Sequence, residues 1–274
     1  MIQLHCEDCV SFMEKQPPEI LDLTITSPPY DSMRTYQGPS DWCREKWEAV
    51  LSELFRLTKD GGSVVWVVGD QTKNGSETGT SFLQAIHAKT CGFRLHDTMI
   101  YQKNQCLPKN HNRYEQAFEY MFIFSKGRPK TFNPIRVPTK YPEKETARKN
   151  SYFSKTSETG RAMRSGKKRS PVKLDKIKGN IWSYSTGRGH STLDIEAFQH
   201  PAIFPESLVR DHVLSWSNKN DLVFDPFMGS GTTGKVSIEE ERSFLGVELI
   251  ENYFSIAQKR IAKAERKLSS MLFR

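Results

Sequence analysis

Ser27-Pro28-Pro29-Tyr30 puts a hydroxyl, a carbonyl and a flat aromatic ring on one short loop. Proline fixes φ and has no N–H, so two in succession set the loop's shape in advance. A hydroxyl oxygen beside a carbonyl oxygen can accept both hydrogens of an amino group, and a tyrosine ring can stack on a flat heterocycle. On these four residues alone, a rigid turn explains the pattern equally well. A second candidate lies near the other end of the chain, where the apolar run 222–224 leads into Asp225-Pro226-Phe227-Met228-Gly229-Ser230-Gly231-Thr232-Thr233. Gly229 and Gly231 let a ligand approach the backbone with no Cβ in the way. Strand, glycine turn and helix is also the arrangement that presents a ligand at the carboxyl edge of a parallel sheet. About twenty residues on, Glu248 ends the run 244–247, a distance and chemistry that suit hydrogen bonds to both hydroxyls of a ribose. The alternative is a surface glutamate at a strand end.

The elements that would hold these residues alternate along the chain. Residues 21–26 have the β-branched, apolar character of a buried strand, ended by Ser-Pro-Pro. Residues 41–58 read as an amphipathic helix with Trp47, Val50, Leu51, Leu54 and Phe55 on one face. Ser40 or Asp41 can cap it, and Gly61-Gly62 follow its end. Strands are predicted at 64–68, 93–101, 118–124, 222–224 and 243–247. Helices are predicted at 82–88, 205–214, 232–238 and 251–268. This alternation predicts an α/β fold with a doubly wound, mainly parallel sheet. A chain of 274 residues suffices for one such domain and an insertion.

The pattern breaks between 126 and 178, where apolar periodicity fades and 17 Lys and Arg face only 4 Asp and Glu. Arg161, Arg164, Lys167, Lys168 and Arg169 lie here, interleaved with Phe132, Tyr141, Tyr152 and Phe153. Such a stretch is either a solvated insertion or an element whose cations meet phosphates and whose aromatics meet bases. The formal charge of +8 and pI near 9.2 favour a polyanionic partner without proving one. The expected organisation is therefore 1–125, a basic insertion at 126–178, and 179–274.

The composition, 36% hydrophobic and 26% charged, fits a soluble globular protein. No apolar run approaches the roughly 18 residues of a membrane span. The opening residues lack a basic region followed by an apolar one, so a cytoplasmic location is expected. Five scattered cysteines do not form a disulfide framework, and the lone Cys6-x-x-Cys9 lacks the partners of a zinc site, so no metal is expected.

Taken together, the two motifs resemble those of the S-adenosylmethionine-dependent DNA amino-methyltransferases. With the Ser-Pro-Pro-Tyr segment first, their order resembles the circularly permuted beta class. The resemblance implies a Rossmann-like methyltransferase sheet with S-adenosyl-L-methionine bound by Asp225, Pro226, Phe227, Gly229, Ser230, Gly231 and Thr232, and with Glu248 on the ribose. It implies that Asp8, with Cys9 beside it, meets the adenine amino group. Asn180-Ile181-Trp182 and His200-Pro201-Ala202-Ile203-Phe204-Pro205 resemble the motif around the methionine portion, giving Trp182, His200, Pro201, Ala202 and Phe204 as contacts. Residues 113–120 through 127 resemble a segment lining the target-base pocket, and 126–178 sits where the family keeps target recognition.

Catalysis is then expected from Ser27, Pro28, Pro29 and Tyr30. The target nitrogen's lone pair is delocalised into its ring, so the site must hold that nitrogen in line with the methyl and accept its N–H hydrogens. Tyr30 would face a base rotated out of the duplex. No Pro-Cys dipeptide occurs, so direct displacement without a covalent enzyme–base intermediate is expected. Ser in the first position is the usual cytosine-N4 form and Asp the usual adenine-N6 form, so the resemblance favours N4 of cytosine in duplex DNA, with adenine-N6 the alternative. RNA or protein-glutamine methylation, or a non-catalytic nucleic-acid-binding module, fit less well. By analogy with the class, a homodimer and a cognate restriction endonuclease are candidate partners.

Overall fold

A computed structural model of the chain describes residues 1–30, 42–104, 112–139, 174–187 and 189–272, with backbone alone for 153–156, 162–164 and 271–272. The chain divides into a larger unit, Met1–Asn133 with Asn180–Arg274, and a smaller one, Pro134–Gly179.

In the larger unit, β1 (Ile2–Cys6), α1 (Cys9–Glu14), β2 (Leu21–Thr26), α2 (Arg44–Leu57) and β3 (Thr58–Val68) come first. A small hairpin of β4 (Thr72–Lys73) and β5 (Ser76–Glu77) precedes α3 (Thr80–Cys91), β6 (Arg94–Lys103) and β7 (Phe118–Ser125). The smaller unit holds β8 (Arg136–Pro138), β9 (Phe153–Thr156), β10 (Ala162–Arg164) and β11 (Asp175–Ile177). Its described residues include two short antiparallel pairs, β8 with β11 and β9 with β10. Arg136 makes a two-pronged contact to Asp175 across the first pair, at 2.7 and 2.8 Å. The larger unit resumes with β12 (Ile181–Tyr184), α4 (Glu206–Trp216), β13 (Leu222–Asp225), α5 (Thr232–Glu239), β14 (Ser243–Glu248) and α6 (Glu251–Leu272).

Eight strands form one sheet in the order β1-β14-β13-β2-β3-β7-β6-β12. Neighbours are parallel except where β7 runs antiparallel to β3 and β6. Helices α1, α2 and α3 pack in a row on one face, and α4, α5 and α6 on the other. Burial on both faces explains the unbroken apolar run in β3, where Val64, Val65, Trp66, Val67 and Val68 are all at most 1% exposed. Val64, Trp66 and Val68 meet Trp47, Val50, Leu51, Leu54 and Leu57 of α2 in the main core. The one polar atom of Trp66 is satisfied there, donating to Gln84 Oε1 at 2.9 Å.

Some expected boundaries shift. Helix α2 begins at Arg44 behind Cys43, which makes no capping side-chain bond; Ser40 and Asp41 lie outside the described residues. Its end is not marked by Gly61-Gly62, because β3 starts directly at Thr58 and contains both glycines. Phe55 stands beside the buried stripe and packs edge-on against Phe93. Pro205 is the cap of α4 and not its first residue. Among the described residues, no helix is long and apolar enough to cross a membrane.

One feature of this topology brings two loops together. From β13 the chain winds outward to β14, and from β2 it winds the opposite way to β3. Parallel neighbours β2 and β13 therefore mark the point where winding reverses, and a crevice opens outside their carboxyl ends. Ser27 follows β2 and the glycine loop follows β13.

The glycine loop turns into α5 through Gly231, at φ +78° and packed on α6. A Cβ there would lie 2.8 Å from Ala257 Cβ and 2.9 Å from its Cα. Left-handed backbone strain and overpacking add, so Gly231→Ala should lose about 2–4 kcal/mol in urea unfolding. A loss below about 1 kcal/mol would mean that α6 yields and the close packing is not needed.

Candidate active site

The two strand ends share one cavity of about 800 Å³, within the range of about 300–1,000 Å³ typical of small-molecule sites. Ser27, Pro28, Pro29 and Tyr30 line one part. Asp8, Cys9, Asp225, Pro226, Phe227, Ser230, Thr232 and Glu248 line another, and His200, Pro201, Ala202 and Phe204 complete it. Residues far apart in sequence thus meet around one space because their strands are neighbours.

Asp225 stands at the junction, 3% exposed. Its Oδ1 accepts from Thr26 Oγ1 at 2.7 Å, across the β2–β13 boundary, and from the Phe227 N–H at 3.1 Å. Burial pushes its carboxyl up to about 6; hydrogen bonds from Thr26, Thr233 and Phe227 oppose the rise, and the Glu248 charge adds to it. Glu248 ends β14 and is also buried, which raises its pKa. Backbone N–H groups restrain that rise: Gly229 donates to Oε2 at 2.8 Å and Ile250 to Oε1 at 2.9 Å. Each carboxylate oxygen has a second lone pair, so Glu248 retains the capacity to accept from two hydroxyls.

Asp8 caps α1, its Oδ1 accepting from the Ser11 N–H at 3.0 Å, while Oδ2 pairs with Lys46 from α2. Burial works against the charged form, but Lys46 and Ser11 outweigh it and hold the carboxyl below its usual range. Burial pushes the neighbouring Cys9 thiol up to about 12, so it stays protonated and serves as packing. His200 Nδ1 lies 2.8 Å from the Ala202 carbonyl, and its ring meets Tyr253 edge-on at 4.4 Å.

Ser27 Oγ lies 2.9 Å from the Tyr30 hydroxyl, which donates to Glu119 Oε2 at 2.8 Å. Glu119 Oε1 is ion-paired to Lys103 at 2.6 Å. Lys46, Lys103, Glu119, Tyr101 and Trp42 all line the cavity, and of these only Glu119 falls in the 113–120 segment that the sequence placed at the target-base pocket. Glu119 had a signal. It is a charge within the apolar strand 118–124, out of phase with Phe118, Tyr120, Phe122 and Phe124, whose rings pack on each other in sequence.

Three expected contacts are not on the cavity wall. Gly229 and Gly231 act through backbone, as the Glu248 donor and the α5 cap. Trp182 is buried in β12 against His212, ring centroids 4.8 Å apart, so it supports the sheet edge and does not line the site. Arg161, Lys167, Lys168 and Arg169 lie outside the described residues, and Arg164 is described by its backbone alone, in β10. Among the described residues no group of His, Cys, Asp and Glu could hold a metal ion.

Residues 21–259 match the N6_N4_Mtase family model, described as DNA methylase. The chain is 50% identical over 242 residues to the orphan methyltransferase M.BamHII of Bacillus amyloliquefaciens, covering 88% of each chain. Its fold is similar to the solved PvuII DNA methyltransferase (cytosine-N4-specific), with a TM-score of 0.67 and 20% identity over 97% of this chain and 92% of that one. The M1.HpyAVI–SAM complex gives a TM-score of 0.59 and 23% identity over 95% and 100%. These two structures bear on the fold, a Rossmann-like methyltransferase sheet.

The raised Asp225 pKa has a consequence for stability. Its folded value of about 6 exceeds the ordinary 3.8, so the folded protein binds the extra proton between those limits. Its contribution is therefore fully present below about pH 4 and lost as pH rises through about 6. Thermal melts of wild type and Asp225→Asn should diverge in the wild type's favour on acidification from pH 6.5 to 4. A difference in Tm that is constant over this window would contradict the burial assigned to Asp225.

Proposed function

The chain belongs to the N6/N4 DNA methylase family, and on that premise we propose that it transfers a methyl group from S-adenosylmethionine to the exocyclic N4 of cytosine in duplex DNA. The observation that carries this reading is the junction of β2 and β13, where an amino-acceptor loop and a glycine loop share one cavity. The order of those loops along the chain, acceptor first, is that of the permuted beta class.

The wall residues fit such a cofactor. Among the described residues, the Trp42 indole N–H and the Tyr101 hydroxyl are buried at the cavity with no hydrogen-bond partner. A buried donor left unpaired costs about 1–3 kcal/mol, which a polar ligand would relieve. Glu248 suits ribose hydroxyls, Asp8 an adenine amino group, and the 200–204 segment with Phe227 the methionine portion. When bound, S-adenosylmethionine supplies an electrophilic methyl group, whose bonding pair stays with sulfur as the new N–C bond forms.

The protein's task is to hold the nitrogen in line and disengage its lone pair from the ring. Ser27 Oγ and the Pro28 carbonyl accept the two N–H hydrogens, which favours a pyramidal nitrogen with a localised pair. Pro28 and Pro29 keep these acceptors in place, so little reorganisation is needed when charge develops. Tyr30 bounds the space for a base extruded from the stack. The surplus proton of the product amine leaves through these acceptors to solvent. Ser in the first position supports cytosine-N4 over adenine-N6. The basic insertion, with Arg161, Arg164, Lys167, Lys168 and Arg169, supplies phosphate contacts and target recognition.

Three measurements test this reading. Mass analysis of nucleosides from methylated duplex should find N4-methylcytosine, and Ser27→Ala should slow single-turnover transfer by about 10²–10³ with unchanged cofactor affinity. N6-methyladenine alone would reverse the base assignment, and full transfer by Ser27→Ala would remove the serine's role. Neutralising the five basic residues together should weaken DNA binding and flatten its log–log salt dependence by about 0.9 for each phosphate no longer neutralised. An unchanged slope would place the DNA path elsewhere.

A further inference from the structure

We infer that Glu119 is a positioning residue that fixes Ser27 as a hydrogen-bond acceptor, acting through the Tyr30 hydroxyl. The inference rests on the methyl-transfer reading above and deepens it. A tyrosine hydroxyl has one hydrogen. Tyr30 donates it to Glu119 Oε2 at 2.8 Å, and the carboxylate, ion-paired to Lys103 at 2.6 Å, can only accept. The Tyr30 oxygen must then accept in its 2.9 Å contact with Ser27, so Ser27 is the donor there. A serine hydroxyl also has one hydrogen, and this one is committed to Tyr30. What Ser27 presents to the cavity is therefore lone pairs alone, the capacity needed to take an N–H from the target amine.

Without that constraint a serine hydroxyl rotates freely between donor and acceptor, and a donor aimed at the amino group would oppose transfer. Aligned hydrogen bonds also polarise one another, so a carboxylate at the far end increases the negative character of the serine oxygen. Several elements fix the relay. Glu119 lies on β7 and Lys103 on β6, antiparallel neighbours, while Ser27 and Tyr30 follow β2. The side chain of Glu119 is only 13% exposed, so solvent competes weakly for its oxygens.

This arrangement gives Tyr30 a role beyond its ring face. A stacking residue would tolerate phenylalanine, whereas a relay residue would not. It also predicts that Glu119 and Tyr30 are energetically one unit.

The test is a double-mutant cycle on single-turnover methyl transfer to duplex DNA, with Glu119→Gln, Tyr30→Phe and the pair. Each single variant should slow transfer by about tenfold to a hundredfold, the range seen when partners that orient metal ligands are removed. Affinities for S-adenosylmethionine and DNA should stay within twofold of wild type, a split that a merely structural defect would not produce. The double variant should be no slower than Tyr30→Phe alone, because Glu119 has nothing left to act through. Multiplying losses, or a full rate in Tyr30→Phe, would overturn the inference. The second of these can be read even if Glu119→Gln does not fold. A wild-type protein that methylates neither cytosine nor adenine would instead remove the functional reading on which the inference stands.

Discussion

The site depends on one buried hydrogen bond, from Thr26 Oγ1 to Asp225 Oδ1. It joins the last residue of β2 to the last residue of β13, and each of those residues is followed directly by a loop that lines the cavity. Thr26 is fully buried, and Asp225 nearly so. A carboxyl in such surroundings must be hydrogen-bonded or neutral. Here it is bonded by a side chain from the neighbouring strand and by the backbone of its own loop, so the solvation problem of one acid is solved by fixing two loops relative to each other. The raised Asp225 pKa shows that this solution is incomplete and that burial dominates.

The rest of the cavity repeats this pattern of acids restrained by donors on other elements. Glu248 on β14 is held by Gly229 of the preceding glycine loop. Asp8 on α1 is held by Lys46 of α2. Glu119 on β7 is held by Lys103 of β6. Behind the glycine loop, the buried Arg260 of α6 donates to the Ser230 carbonyl at 2.5 Å and to Thr232 Oγ1 at 3.2 Å, and it pairs with Asp194 and Glu206. The loop is thus braced from the helix layer as well as from the sheet. Pre-organisation of this kind, made during folding, lets a site act on developing charge without first rearranging.

The local motifs were legible in the sequence because their chemistry is contiguous. Ser27-Pro28-Pro29-Tyr30, the Asp225–Thr233 loop and Glu248 all reach the cavity or its frame from readings of a few residues each. The strands that carry them were legible because burial on both faces leaves an unbroken apolar run. Glu119 lay in a segment expected at the pocket, but its pairing with Lys103 was harder, since the two meet only through the antiparallel β6–β7 register, which the sequence does not print. Lys46 was lost among the charges of an amphipathic helix, where it reads as part of the solvated face. Trp182 stands apart from the cavity wall for the opposite reason. Its motif was legible, but in β12 its ring packs on His212 of α4 and not on the cavity. The start of α2 also escaped, because Cys43 gives no capping signal.

The central claim is that the loops after β2 and β13 form two separable halves of one site, with the cofactor held by the β13–β14 half. Calorimetric titration with S-adenosylmethionine tests this most directly, using Glu248→Ala and Ser27→Ala as a pair. Glu248→Ala removes charge-assisted hydrogen bonds of roughly 1.5–3 kcal/mol and should weaken binding about tenfold or more, while Ser27→Ala binds as wild type does. Unchanged affinity in Glu248→Ala, or an equal loss in both variants, would contradict the division of the site between the two strand ends.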